Sequence, residues 1–157
     1  MNQIEALPLT EIRPAEPVDP KTVAQALASE FAKTAVTRDQ LGGTPKAERD
    51  QIRASGLLGL IIPSNLGGLS ASWLDTLDIV RTFARVDSSI AQVFAFQHLM
   101  LATVRLFGTE AQWQPWFRQT AENNWFWGNA LNPLDTRTSS EIVAGQREFH
   151  GKKSFCS

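Results

Sequence analysis

Few side chains in this sequence advertise chemistry by their type and spacing. His98 follows Gln97 in an otherwise apolar stretch. An imidazole there is either a core histidine satisfied by a neighbouring carbonyl, or a hydrogen-bonding or acid/base group facing a cavity. Ser88 and Ser89 come straight after Asp87, a pattern of helix capping before it is one of nucleophiles. Gly67-Gly68 lacks the spacing of a dinucleotide loop, and no Lys-Ser or Lys-Thr follows it. Trp125 and Trp127 suit a core or an interface better than a stacking platform. Cys156 is the single cysteine, which excludes an intrachain disulfide and a Cys-rich metal site, and with Ser157 it reads as structural. His98 and His150 lie too far apart for a local metal motif, so no metal is expected.

These groups must be held by elements, and the pattern reads as helices first, strands afterwards. Asp19-Pro20 is a cap followed by proline, and Val23, Leu27, Phe31 and Ala35 recur every four residues, predicting a helix over 20–37. Thr44-Pro45 repeats the signal for a second helix, stopped at Gly56. The apolar run 57–62, closed by Pro63, predicts a buried extended connector, and 65–68 a turn. Ser72 with Asp75 opens a third helix whose stripe is Trp73, Leu77, Val80 and Ala84, widened by Leu74 and Ile79. Asp87-Ser88-Ser89 opens a fourth, ending at Gly108, apolar nearly all round and therefore central. Thr109 caps a fifth, with Trp113, Trp116 and Phe117 on one face and Asn123-Asn124 at its end. Trp125-Phe126-Trp127 is β-favouring, 141–149 alternates loosely, Gly151 is a turn, and 153–157 looks like a strand start. Two or three strands do not make a stable sheet unaided, so the sequence is expected to stop inside a β domain.

The 157 residues suffice for one domain or a domain and part of another. Hydrophobic residues make up 43% and charged residues 20%, with a net charge of −1, which points away from nucleic acid and anionic membranes as partners. The stretch 90–107 is interrupted by Gln92, Gln97, His98 and Arg105, so a buried central helix is expected there and not a membrane span. Met1 to Pro20 carries no apolar run and four prolines, which predicts an extended acidic arm with no targeting signal and a cytoplasmic protein.

Gly56-Leu57-Leu58-Gly59-Leu60-Ile61-Ile62-Pro63 followed by Gly67-Gly68 resembles a signature of the acyl-CoA dehydrogenase superfamily, as does Gly108-Thr109-Glu110 further on. Three stretches resemble its reduced-flavin monooxygenase branch, typified by dibenzothiophene monooxygenase and sulfur-acquisition enzymes. They are 47–50 with Arg53-Ala54-Ser55-Gly56-Leu57-Leu58, then Asn123-Asn124-Trp125 with Gly128-Asn129-Ala130, then 151–157. The resemblance covers about residues 20–157. It implies a mainly α fold: an arm over 1–19, the N-terminal helical domain over 20–124, and the start of the middle β domain over 125–157. In such enzymes a C-terminal helical bundle follows, subunits assemble as dimers or tetramers, and the flavin lies between the middle domain and the bundle.

Carried over by position, the resemblance implies that Asn129, Ala130 and Leu131 meet the flavin, that Phe155 and Ser157 flank its ring, and that Phe96, Gln97 and His98 line the substrate cavity. Asn129, Ser157 and His98 become the candidate catalytic residues. In dibenzothiophene monooxygenase the histidine stands one position earlier, where this chain has Gln97, and one helical step turns a side chain by about 100°. Dehydrogenases of the superfamily carry Thr-Glu-Pro and then Gly-Ser-Asp, where this chain has Leu131-Asn132-Pro133-Leu134-Asp135-Thr136-Arg137. That difference implies FMN at least as readily as FAD. The complete protein is expected to be a two-component monooxygenase, supplied with reduced flavin by a separate reductase and acting on a small organosulfur or aromatic compound. An FAD-dependent acyl-CoA dehydrogenase and an inactive helical interaction module are the alternatives. The 157-residue chain alone is expected to be inactive.

Overall fold

The computed structural model describes residues 19–130, 132 and 134–154. The expectations for the arm over 1–18, and for Leu131, Phe155, Cys156 and Ser157, lie outside the described residues. Within them the order is five helices and then a hairpin.

Helix α1 spans Pro20–Leu41, capped by the Asp19 carboxylate, which accepts from the Thr22 N–H at 3.1 Å. It runs four residues past the expected end and buries Ala24, Ala28 and Phe31. Helix α2 spans Lys46–Ala54 and lacks the expected Thr44 side-chain cap. The run after it is not extended. Leu57–Gly59 is a 3-10 turn, although Leu57, Leu58, Leu60 and Ile62 are buried as expected. A buried backbone without a neighbouring strand must satisfy itself. Here Leu60 N–H donates to the Leu57 carbonyl at 3.3 Å and Ile62 N–H to that of Gly59 at 3.1 Å. The returning chain then pairs back, Ala71 N–H to the Leu60 carbonyl at 2.7 Å. Gly68 permits this crossing, since a Cβ there would sit 2.1 Å from the Ile62 carbonyl oxygen.

Helix α3 spans Trp73–Ala84, and Ser72 caps it by accepting from Asp75 N–H. Its buried residues are Thr76, Ile79 and Phe83, so the expected stripe is displaced: Trp73, Leu74 and Leu77 are exposed. The reason is packing. Phe83 contacts Phe31 of α1 at 5.5 Å and Phe94 of the next helix at 5.0 Å, between ring centroids, and these contacts set the helix's rotation. Helix α4 spans Ser88–Phe107, with the Asp87 carboxylate accepting from Ile90 N–H at 3.0 Å. By length and composition it could cross a membrane. In this structure Ile90, Ala91, Phe94 and Leu101 pack into protein, while Leu99, Leu106 and Phe107 are exposed. Helix α5 spans Glu110–Asn123, opened by a capping box in which Thr109 N–H donates to Gln112 Oε1 at 2.9 Å. Trp113 and Phe117 are buried on it, whereas Trp116 is 43% exposed.

Residues 125–127 form no strand. Their backbone groups are taken by a side chain of α4 in place of a sheet partner, as described below. Strands β1 (Thr138–Val143) and β2 (Gln146–Gly151) form an antiparallel hairpin. Ala144 and Gly145 both adopt positive φ in its two-residue turn, as right-handed strand twist favours. Gly151, expected as a turn, is the last residue of β2 and faces Thr138, and 152–154 is not a strand. Every residue of the hairpin is exposed. The fold is therefore mainly α with a short β segment, as the sequence implied.

Candidate functional site

Two adjacent residues of α4, both fully buried, behave in opposite ways. The Gln97 amide donates to the carbonyls of Trp125 (3.1 Å) and Leu58 (3.3 Å), and its Oε1 accepts the Trp127 N–H at 2.8 Å. One side chain thus joins the central helix, the 3-10 turn and the aromatic segment. Trp127 is fixed further by donating its indole N–H to Thr120 Oγ1 at 2.9 Å. The amide fills the role that strand pairing was expected to play for 125–127.

Neither nitrogen of His98 has a hydrogen-bond partner among the described residues. Its ring packs edge-on against Phe94, with centroids 4.7 Å apart. Burial pushes the imidazole down to about 4, so the side chain is neutral at physiological pH. Among the described residues no carbonyl satisfies it. A buried donor and acceptor left unpaired cost free energy, and such groups in native folds ask for a partner. Phe96, the third residue expected at the cavity, is half-buried.

Asn129 lies two residues beyond the Gln97-bound Trp127 and is buried, with Gly128 and Ala130 exposed on either side. Gln97 therefore brings the α4 candidates and the Asn129 segment into one region. Leu131, Phe155 and Ser157 lie outside the described residues.

A second set was not foreseen. The Asp135 carboxylate accepts from Arg137 Nε at 2.8 Å and Nη2 at 2.7 Å, from Ser154 N–H at 2.9 Å and from Ser154 Oγ at 3.1 Å. Arg137 and then the Ser154 amide hold this carboxyl well below the usual carboxylate range. Asn132 Nδ2 donates to the Ser154 carbonyl, and Lys153 Nζ to the carbonyls of Asn132 and Asp135. The local part had a signal, since Asp135 also accepts from the Arg137 N–H two residues on, an Asx-turn contact. The Ser154 part, 19 residues away, had none.

Two surface hollows of about 490 and 480 Å3 lie elsewhere. One is at the α1 end and the α4 start, beside Arg38 and Asp87. The other is at the α3 start and the α4 end, beside Trp73 and Arg105. Neither includes Gln97, His98 or Asn129.

Comparison with known proteins gives a consistent set. The acyl-CoA dehydrogenase N-terminal domain family matches residues 20–124. A probable FMNH2-dependent monooxygenase, SfnC, of Pseudomonas putida is 67% identical over 135 residues, covering 86% of this chain and 34% of that protein. The solved methanesulfinate monooxygenase MsuC of Pseudomonas fluorescens is also 67% identical, with a TM-score of 0.87 over 90% of this chain and 36% of that one. Dibenzothiophene monooxygenase TdsC of Paenibacillus sp. A11-2, in complex with FMN and indole, is 39% identical. Its TM-score is 0.81 over 87% of this chain and 34% of its own. The chain spans about a third of the length of these relatives.

Proposed function

The chain belongs to the acyl-CoA dehydrogenase N-terminal domain family, and from that premise we propose that it forms the first third of a reduced-flavin monooxygenase acting on a small organosulfur compound. The observation that carries this reading is the 67% identity sustained over 90% of the chain to a methanesulfinate monooxygenase.

The residues present suit a flavin. Asn129 offers an amide, which can donate and accept at once, at a buried loop position. Exposed Trp125 offers an aromatic face, and His98 offers two buried ring nitrogens with no partner among the described residues. FMN is favoured over FAD. SfnC is FMNH2-dependent by name and TdsC is solved in complex with FMN, and Asn132 and Asp135 are tied to their own chain at Ser154 where dehydrogenases carry their motif.

When bound, reduced flavin supplies the two electrons that split dioxygen, so that a sulfinate RSO2− becomes RSO3− and the second oxygen leaves as water. In this reading Asn129, with Ala130, Leu131, Phe155 and Ser157, holds and orients the flavin. Phe96 and His98 face the substrate. His98, neutral throughout the physiological range, donates or accepts one hydrogen bond without introducing charge. Gln97 sets the loop against α4 through the Trp125 carbonyl and the Trp127 N–H. A flavin reductase as electron source, a homo-oligomeric assembly and a cytoplasmic setting shared with that reductase belong to the same proposal.

The test supplies the full-length protein with reduced FMN, oxygen and methanesulfinate. The expected result is one sulfonate formed per reduced FMN consumed. Flavin oxidation that yields only hydrogen peroxide with every small organosulfur substrate tried, together with acyl-CoA-dependent dye reduction, would replace this reading by a dehydrogenase.

A further inference from the structure

Residues 125–127 form no strand, yet each is held by a helix. Gln97 of α4 takes the Trp125 carbonyl and the Trp127 N–H. The Arg53 guanidinium of α2 lies 5.3 Å from the centre of the Phe126 ring. Thr120 of α5 makes two contacts: its carbonyl accepts the Trp125 N–H at 3.2 Å, and its Oγ1 accepts the Trp127 indole N–H at 2.9 Å. Asn124 makes the second contact possible. It closes α5 in the left-handed region, at φ 50° and ψ 50°, so the chain turns back on its own helix. Trp127 then meets a residue seven positions earlier. Thr120 is 1% exposed, and a buried hydroxyl needs a partner. Gln97 fixes only backbone atoms of this segment. The Trp127 ring, edge-on to Trp116 at 6.3 Å and packed on the Trp113 and Phe117 cluster, is anchored at its polar end by Thr120.

We propose that Thr120 is a positioning residue for the flavin site: its hydroxyl seats the Trp127 ring and so sets where Asn129 stands. This rests on the flavin reading above. Thr120 acts through Trp127 and not on the flavin itself. Two residues of chain reach at most about 7 Å, so a Trp127 that shifts in its seat takes Asn129 with it. Misplacement of a group at the reacting centre by about 1 Å can cost on the order of 100-fold. Two substitutions separate this role from packing. Valine keeps the shape of threonine and removes the acceptor, whereas serine keeps the acceptor and removes a methyl group.

The experiment compares Thr120→Val and Thr120→Ser in the full-length protein. In Thr120→Val, amide hydrogen exchange over 125–129 should accelerate about tenfold, because a stranded indole N–H favours opening, with the helical circular dichroism retained. Oxygenated product per reduced FMN should fall about 10- to 100-fold and the KM for reduced FMN should rise, while flavin oxidation by oxygen continues. Thr120→Ser should return exchange, coupling and KM close to their wild-type values. Trp127→Phe, which removes the donor instead of the acceptor, should reproduce the loss of coupling. Serine proving the worse variant at 120 would assign the position to packing and overturn the role. Unaltered coupling and KM in Thr120→Val would overturn it too, and so would unaltered coupling in Trp127→Phe even where valine at 120 does not fold. A wild-type enzyme that oxygenates nothing with reduced flavin overturns the flavin reading. The exchange contrast between the two Thr120 variants does not depend on that reading, so the two failures are told apart.

Discussion

Residues 19–124 and residues 125–154 are held together by different forces. In the helical part, rings from α1, α3 and α4 meet in series, tilted between Phe31 and Phe83 and edge-on between Phe83 and Phe94, and a second cluster joins Ile62, Leu66, Leu101, Trp113 and Phe117. Burial of apolar surface dominates there, and each fully buried large side chain contributes roughly 1.5–3 kcal/mol. In the later part Phe126 and Trp127 pack partly against those clusters, but the hairpin buries nothing. Its order comes from ladder hydrogen bonds and the Asp135 contacts, each worth little net in water. Gln97 is a bridge between the two regimes, a core residue whose three bonds run outwards to the second region and the 3-10 turn. The difference teaches that a candidate cofactor segment can be placed by a few polar contacts on a rigid helical platform, without a core of its own.

The sharpest way to break this comparison is to remove an aromatic at the centre of the platform. Phe83→Ala should destabilise the chain by about 3–5 kcal/mol and lower the urea midpoint accordingly. A loss below 1 kcal/mol would mean that the ring series does not hold the helices.

Acid should act next, through His98. Its folded pKa of about 4 lies below the 6.5 of an exposed imidazole, so the unfolded chain binds the extra proton. Stability is then full above pH 6.5 and falls as pH drops from 6.5 towards 4, by up to about 3 kcal/mol at roughly 1.4 kcal/mol per pH unit. Denaturation at pH 7.5 and pH 5 should show this slope in the wild type and a flatter one in His98→Leu. Equal slopes in both proteins would assign the acid sensitivity elsewhere.

Gln97→Ala tests the bridge. It strands the Trp127 N–H and two carbonyls and should cost about 1–3 kcal/mol. Tryptophan fluorescence should report the release of Trp125 and Trp127 while the helical signal persists. Loss of both signals together would make the two regions one cooperative unit. The smallest effect belongs to the hairpin: Phe149→Ala, at a side chain 71% exposed, should change the unfolding midpoint by less than about 0.5 kcal/mol. A larger change would reveal a core contact that the exposed strands do not show.

What could be read without coordinates was local. Asp19, Ser72 and Asp87 announce helix starts because a side-chain acceptor three residues before an N–H needs no tertiary partner. The Gly56–Gly68 and Gly128-Asn129-Ala130 stretches likewise carried the family resemblance, since motifs are strings. The tertiary structure decided whatever depends on a distant neighbour. Trp125-Phe126-Trp127 has strand composition but found an amide and no strand. The run 57–62 turned through bonds three residues apart, and the returning 69–71 segment, not a strand, donates to its carbonyls. The stripe on α3 turned towards Phe31 and Phe94, leaving Trp73 and Leu77 outside. Gln97 and His98 are neighbours in sequence and equals in burial, yet only folding could give one three partners and leave the other with none among the described residues. Asp135 found Ser154 across 19 residues by the same route, because burial and long-range hydrogen bonds are properties of a place in space, which periodicity along a chain does not encode.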